Sequence, residues 1–149
     1  MNVLDPIATI MTKNVLTIGA KDKLQEAQKI FDHHRVHHIP VVSDGAVLGI
    51  LSLTDLLYFL KGKSEDSYED VLNEVRLKNY TVEEIMSTGL ANITSTDQIY
   101  TALNIFKENL FHAMPVIDDD KLVGVISTQD IINALANQKT TPTGRYTKR

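Results

Sequence analysis

Gly49-Ile50-Leu51-Ser52-Leu53-Thr54-Asp55 returns later in the chain as Gly124-Val125-Ile126-Ser127-Thr128-Gln129-Asp130. Both stretches read as the end of a buried strand running into a hydroxyl, an acid and a helix start. Extended outward at the same offset, residues 5–60 laid on 80–135 agree at 15 of 56 positions without a gap. Unrelated sequences of ordinary composition would agree at roughly one position in seventeen. The shared residues include Ile10-Met11, Asp22, Ala27, Ile30-Phe31, His37, Pro40-Val41, Gly49, Ser52 and Asp55, and many others exchange one aliphatic for another, as Val42 for Ile117. The chain is a duplication. A unit of this size is marginal alone, so the two are expected to bury a common face.

Each unit reads as β-α-β-β-α. Asp5-Pro6 and the capping box Thr81-x-x-Glu84 open a short helix ending near the Ile-Met pair. Short strands are expected at Val15–Ile18 and Leu90–Ile93. Leu24, Ala27, Ile30 and Phe31, and Ile99, Ala102, Ile105 and Phe106, recur at helical spacing. Ile39–Val42 and Val47–Leu51 flank Asp44-Gly45, a strong hairpin signal, and Asp118-Asp119-Asp120 is its weaker counterpart. Closing helices are expected from about Asp55 to Leu60 and Asp130 to Leu135. The boundaries are 1–60 and 81–136 for the units, 61–80 for a solvated connector helix, and 137–149 for a basic tail.

The chain has 149 residues, 43% hydrophobic and 23% charged, ordinary values for a globular protein. It has no cysteine, which excludes disulfides, thiolate zinc sites and cysteine nucleophiles and fits a reducing compartment. There is neither a long apolar run nor a signal sequence, so no membrane insertion and a cytoplasmic location are expected. Four of the 15 basic residues fall within 139–149 with no acid among them, leaving a strongly acidic body. That balance argues against nucleic-acid binding, which needs Lys and Arg against phosphates. The tail itself reads as a frayed terminus.

The repeated stretch is also where chemistry would sit. A helix N-terminus suits a phosphate, and a carboxylate there can accept hydrogen bonds from the two hydroxyls of a ribose. Ser52 and Thr54 can bond phosphate or sugar. Ser52 and Asp55 can equally cap the helix, and a cap at a cleft can do both.

Taken together, the duplicated β-α-β-β-α unit, His37-His38-Ile39-Pro40-Val41-Val42 and the Gly49–Asp55 stretch closely resemble the cystathionine-β-synthase (CBS) domain, two of which form a Bateman module. The resemblance implies an α/β (α+β) fold of two CBS repeats packed with pseudo-twofold symmetry, two clefts between them, and a homodimer. It implies binding of an adenosine compound (AMP, ADP, ATP or S-adenosylmethionine) and regulation of an attached or associated enzyme or transporter. By position, Ser52, Thr54 and Asp55 match residues that contact ribose and phosphate, Val36, His37 and His38 match a stretch lining the adenine, and Asp22 matches a loop position beside the nucleoside. The second unit offers Asp97, Phe111, His112, Ala113, Ser127, Gln129 and Asp130. Gln129 stands where the first unit has the hydroxyl of Thr54, so the cleft using Ser52, Thr54 and Asp55 is expected to be the better one.

His33, His34, His37 and His38 could chelate a metal if all lay on one helix. Ile39-Pro40 begins a strand, so the helix should end before His37 and no metal site is expected. No nucleophile elbow, P-loop or His-Glu-x-x-His motif occurs, and no catalysis is expected. The acidic body disfavours ATP unless Arg35, Lys13, Lys21 or Mg²⁺ offsets its charge, which tilts the expectation to AMP or a cation such as S-adenosylmethionine. The alternative is an interaction scaffold with vestigial clefts, dimerising without ligand.

Overall fold

The computed structural model describes residues 1–60, 67–109 and 111–138. The start of the expected connector, 61–66, and the tail from residue 139 lie outside the described residues. The first repeat runs β1 (Ile18–Gly19), α1 (Leu24–His33), β2 (His38–Ser43), β3 (Ala46–Ser52) and α2 (Leu53–Phe59). The connector helix α3 (Ser67–Asn79) follows, then α4 (Ile99–Glu108), β4 (Ala113–Asp118), β5 (Lys121–Ser127) and α5 (Thr128–Ala136). In the first sheet β1 pairs in parallel with β2, and β2 antiparallel with β3. In the second, β4 pairs antiparallel with β5, and a single parallel bridge from Ile93 to Val116 stands for the missing first strand.

The helices follow the apolar spacing. Leu24, Ala27 and Phe31 bury the inner face of α1, and Ile99 and Ala102 that of α4. The connector helix α3 packs on α1 and contributes the buried Leu77 to the first core, so one of its faces is not solvated. The closing helices start earlier than expected because Ser52 and Ser127 are their N-caps, which places Asp55 and Asp130 at the third helical position.

Three expectations need correction. The strand expected over Val15–Ile18 shrinks to β1, because Val15 is used elsewhere: with Leu90 it packs on Ile50, Ala113 and Val125 between the repeats. The opening helices are only 3-10 turns, Ile7–Thr9 and Val82–Glu84. Their amides are spent on the other repeat: Ile7 N–H donates to Asp97 O at 2.8 Å and Ala8 N–H to Ser95 O at 2.9 Å, while Val82 and Glu83 donate to Asp22 and Ala20. The second hairpin turns at Asp119-Asp120, both at positive φ (48° and 63°). Asp118 stays in the ladder opposite Lys121 and accepts from Ser95 N–H (2.9 Å) and Oγ–H (2.6 Å).

Each repeat therefore lends its first residues to its partner's core. Ile7 lies among Ile93, Ile99 and Met114 of the second repeat, and Val82 among Leu24, Ile39 and Leu51 of the first. The bridges come in matched pairs: Ile50 with Ser87 and Thr12 with Val125, Lys23 with Thr81 and Pro6 with Gln98. Every pair maps onto the other at the repeat offset, which is what a twofold relation between the repeats requires. Gly49 and Gly124 admit these crossing segments. A Cβ on Gly49 would stand 2.4 Å from Ser87 O, and one on Gly124 would stand 2.8 Å from Thr12 O. Only glycine allows so close a backbone approach.

Candidate functional site

Because the repeats meet at Ile50, Ala113 and Val125, each strand-to-helix corner opens onto a loop of the other repeat. A cleft of about 750 Å³ brings Ser52, Thr54 and Asp55 of the first repeat together with Phe111, His112 and Ala113 of the second. A smaller one, about 340 Å³, joins Ser127, Gln129 and Asp130 to Val36, His37 and His38. The pairing is crosswise: His37 faces the corner of Asp130, not that of Asp55. His38 lines both clefts.

At the larger corner, Asp55 N–H donates to Ser52 Oγ at 2.9 Å and Ser52 N–H to Asp55 Oδ2 at 3.2 Å. This reciprocal box uses one carboxylate oxygen and leaves Oδ1 without a partner among the described residues. At the smaller corner, Asp130 Oδ2 accepts from Ser127 N–H (2.8 Å) and Oγ–H (2.6 Å), and Oδ1 accepts a long bond from Thr12 Oγ1 (3.4 Å). Both oxygens of Asp130 are engaged. Gln129 is tied to Asn133 at 2.9 Å.

His38 sits between the corners. Its pKa lies below the ordinary 6.5, chiefly because burial disfavours the charged ring and then because His37 and His112 stand nearby; Asp55 and Asp130 pull weakly the other way. The ring is therefore neutral at pH 7.

Asp22 and Asp97 line neither cleft. Each closes its own loop: Asp22 Oδ2 accepts from Gly19 N–H at 2.8 Å, and Asp97 Oδ2 accepts from Thr94 N–H at 2.7 Å. Lys21 is also elsewhere, paired on the surface with Glu83 at 2.5 Å. Arg35 does line the smaller cleft. Among the polar and apolar residues missed in the sequence are Thr88, Leu90, Glu108 and Asn109 in the larger cleft and Thr12 and Asn14 in the smaller. They come from the opposite repeat, so the motif of one unit gave no sign of them. α1 ends at His33, which places His37 beyond the helix, and among the described residues no group of three or more His, Asp or Glu could hold a metal.

The CBS domain family profile matches residues 7–62 and 82–137, the two repeats just described. The chain belongs to the CBS domain family. As a CBS pair it is 24% identical over 136 residues to the CBS domain-containing protein YhcV of Bacillus subtilis (strain 168), covering 91% of this chain and 89% of that one. Longer CBS relatives are matched in part; the chain spans 45% of MJ1225 and 40% of MJ1232 from Methanocaldococcus jannaschii. Among solved structures, CBSX2 in complex with AMP superposes with a TM-score of 0.73 at 21% identity, covering 91% of this chain and 99% of that one. The CBS pair of MJ0100, in complex with 5′-methylthioadenosine and S-adenosyl-L-methionine, superposes at 0.70 with 21% identity and the same coverages. The two repeats of strands and helices thus form the mixed α/β fold of CBS pairs. No helix among the described residues is long and apolar enough to cross a membrane.

Proposed function

We propose that this CBS pair is a non-catalytic regulatory module that binds an adenosine compound between its repeats and passes the occupied state to a partner enzyme or transporter. The observation that carries this reading is the larger cleft. It sets an unengaged carboxylate oxygen of Asp55, with the hydroxyls of Ser52 and Thr54, opposite the Phe111–Ala113 segment. A carboxylate with a free oxygen suits the ribose hydroxyls, and Phe111 and Leu90 offer apolar surface to a flat base. CBS pairs of the same fold carry AMP in one case and methylthioadenosine with S-adenosylmethionine in another. Occupancy signals through differential binding: the ligand touches both repeats, so it favours the arrangement in which they clasp it.

The module acts as a homodimer in this reading. Leu57 and Tyr58 on α2 and Ile132 and Leu135 on α5 are exposed apolar side chains at the ends of both repeats, and one flat face built from both helices would cover them. The same face supports the second reading, a scaffold that dimerises without ligand.

The test is thermal unfolding of nucleotide-stripped protein against AMP, ADP, ATP and S-adenosylmethionine, each with and without Mg²⁺. A ligand-specific rise supports the sensor. A stable dimer unmoved by every ligand supports the scaffold.

A further inference from the structure

We propose that the two clefts sort adenosine ligands by the charge of the 5′ group, the larger taking a neutral or cationic group and the smaller a phosphate, with Glu108 and Arg35 as the residues that set this specificity. The inference rests on the adenosine reading above and deepens it. The larger cleft is lined by two carboxylates, Asp55 and Glu108, and by no Lys or Arg among its described residues. Glu108 ends α4, and Asn109, its C-cap, also lines the cleft, so the negative end of the helix dipole adds to the two carboxylates. His38, neutral at pH 7, supplies no compensating charge. Arg76 reaches the adjoining cavity behind Thr54 and Asp55, but its guanidinium is held by Asn73 (2.8 Å) and Glu69 (3.4 Å).

The smaller cleft lacks that excess of negative charge. Arg35 lines it without an ion-pair partner among the described residues, beside His37, and offsets the charge of Asp130, its one acid among those residues, whose oxygens are turned to Ser127 and Thr12. At the repeat offset Arg35 corresponds to Leu110 and Glu108 to His33, so the two repeats have diverged in charge at these positions. A sulfonium, with its amino-acid ammonium group, gains from carboxylates at the mouth of the larger cleft, and a methylthio group loses nothing there. A dianionic phosphate is repelled there and finds a guanidinium fork in the smaller cleft.

Isothermal titration at low ionic strength, where such charges are least screened, reads the assignment with S-adenosylmethionine, 5′-methylthioadenosine and AMP as probes. Glu108 and Arg35 are both exposed, so Glu108→Gln and Arg35→Gln are expected to fold. Glu108→Gln should weaken S-adenosylmethionine by about threefold while leaving methylthioadenosine unchanged, as an exposed charge pair allows. Arg35→Gln should weaken AMP by about tenfold, the usual worth of a charge-assisted bond, and leave S-adenosylmethionine unchanged. An unaltered ratio of S-adenosylmethionine to methylthioadenosine in Glu108→Gln overturns the inference while leaving adenosine binding intact. So does loss of AMP binding in Asp55→Ala, which would put AMP in the larger cleft. If none of the three probes binds the unmodified protein, the adenosine reading and this inference fall together.

Discussion

Asp55 and Asp130 occupy equivalent positions and do unequal jobs. Asp130 spends both oxygens on Ser127 and Thr12, whereas Asp55 spends only Oδ2, on Ser52. Asp55→Ala should therefore weaken binding in the larger cleft, read with S-adenosylmethionine, by roughly 1–3 kcal/mol in titration calorimetry, and Asp130→Ala should weaken it by much less. Each variant also loses a capping box, worth roughly 1 kcal/mol of stability. His38 gives a second prediction. Its folded pKa is lowered, so the unfolded chain takes up a proton first, and stability must fall as the pH drops from 6.5 toward the folded value. The thermal midpoint of His38→Asn, followed between pH 7.5 and 5.5, should decline less than that of the unmodified protein; an equal decline would show that His38 is not the group responsible. At this scale the sequence was half legible. Ser52, Thr54 and Asp55 lie together as their spacing implied, because all three sit on one strand-to-helix corner. Asp22 and Asp97 line neither cleft, because their carboxylates fold back on the amides of Gly19 and Thr94.

At the scale of elements, helical periodicity and the hairpin signals located α1, α4 and both antiparallel pairs, since an amphipathic helix or ladder is written in consecutive residues. The short first strands and opening turns were misread because Val15 and Leu90 pack between the repeats and the amides of the turns bond to the other repeat, and no local pattern shows that. Two glycines express the same constraint. Gly49→Ala and Gly124→Ala each drive a Cβ into backbone oxygen and should cost on the order of 1–3 kcal/mol in denaturant unfolding. An unchanged midpoint would mean that the crossing segments are not held as described. The second hairpin holds two aspartates at positive φ, where an Asp pays roughly 1 kcal/mol that glycine does not. Asp120→Gly, which restores the Asp-Gly turn of the first repeat, should raise the unfolding midpoint. A lower midpoint would show that the Asp120 side chain contributes more than its backbone strain costs.

Across the whole molecule, the duplication itself foretold that two small units must bury a common face; each keeps its own core, the two meet at Ile50, Ala113 and Val125, and each core takes in Ile7 or Val82 from the other repeat. The crosswise pairing of the clefts follows from that exchange and from nothing visible within one unit. The exchange also means that neither repeat is expected to fold alone. The exposed pair Tyr58 (86%) and Ile132 (55%) belongs to the proposed dimer face. Tyr58→Glu combined with Ile132→Glu should convert a dimer to a monomer in analytical ultracentrifugation, and a monomeric unmodified protein would remove the homodimer from the account. The central claim, an adenosine ligand held at Asp55 between the repeats, is tested most directly by the thermal midpoint of stripped protein and of Asp55→Ala, each compared with and without ligand. A ligand at about 100 times its dissociation constant adds roughly 2.7 kcal/mol, a rise of about 5–10 °C for a chain this size. The account predicts that rise for at least one adenosine compound and, for S-adenosylmethionine in the larger cleft, its loss in Asp55→Ala; no rise with any of them, or an equal S-adenosylmethionine rise in the variant, would contradict it.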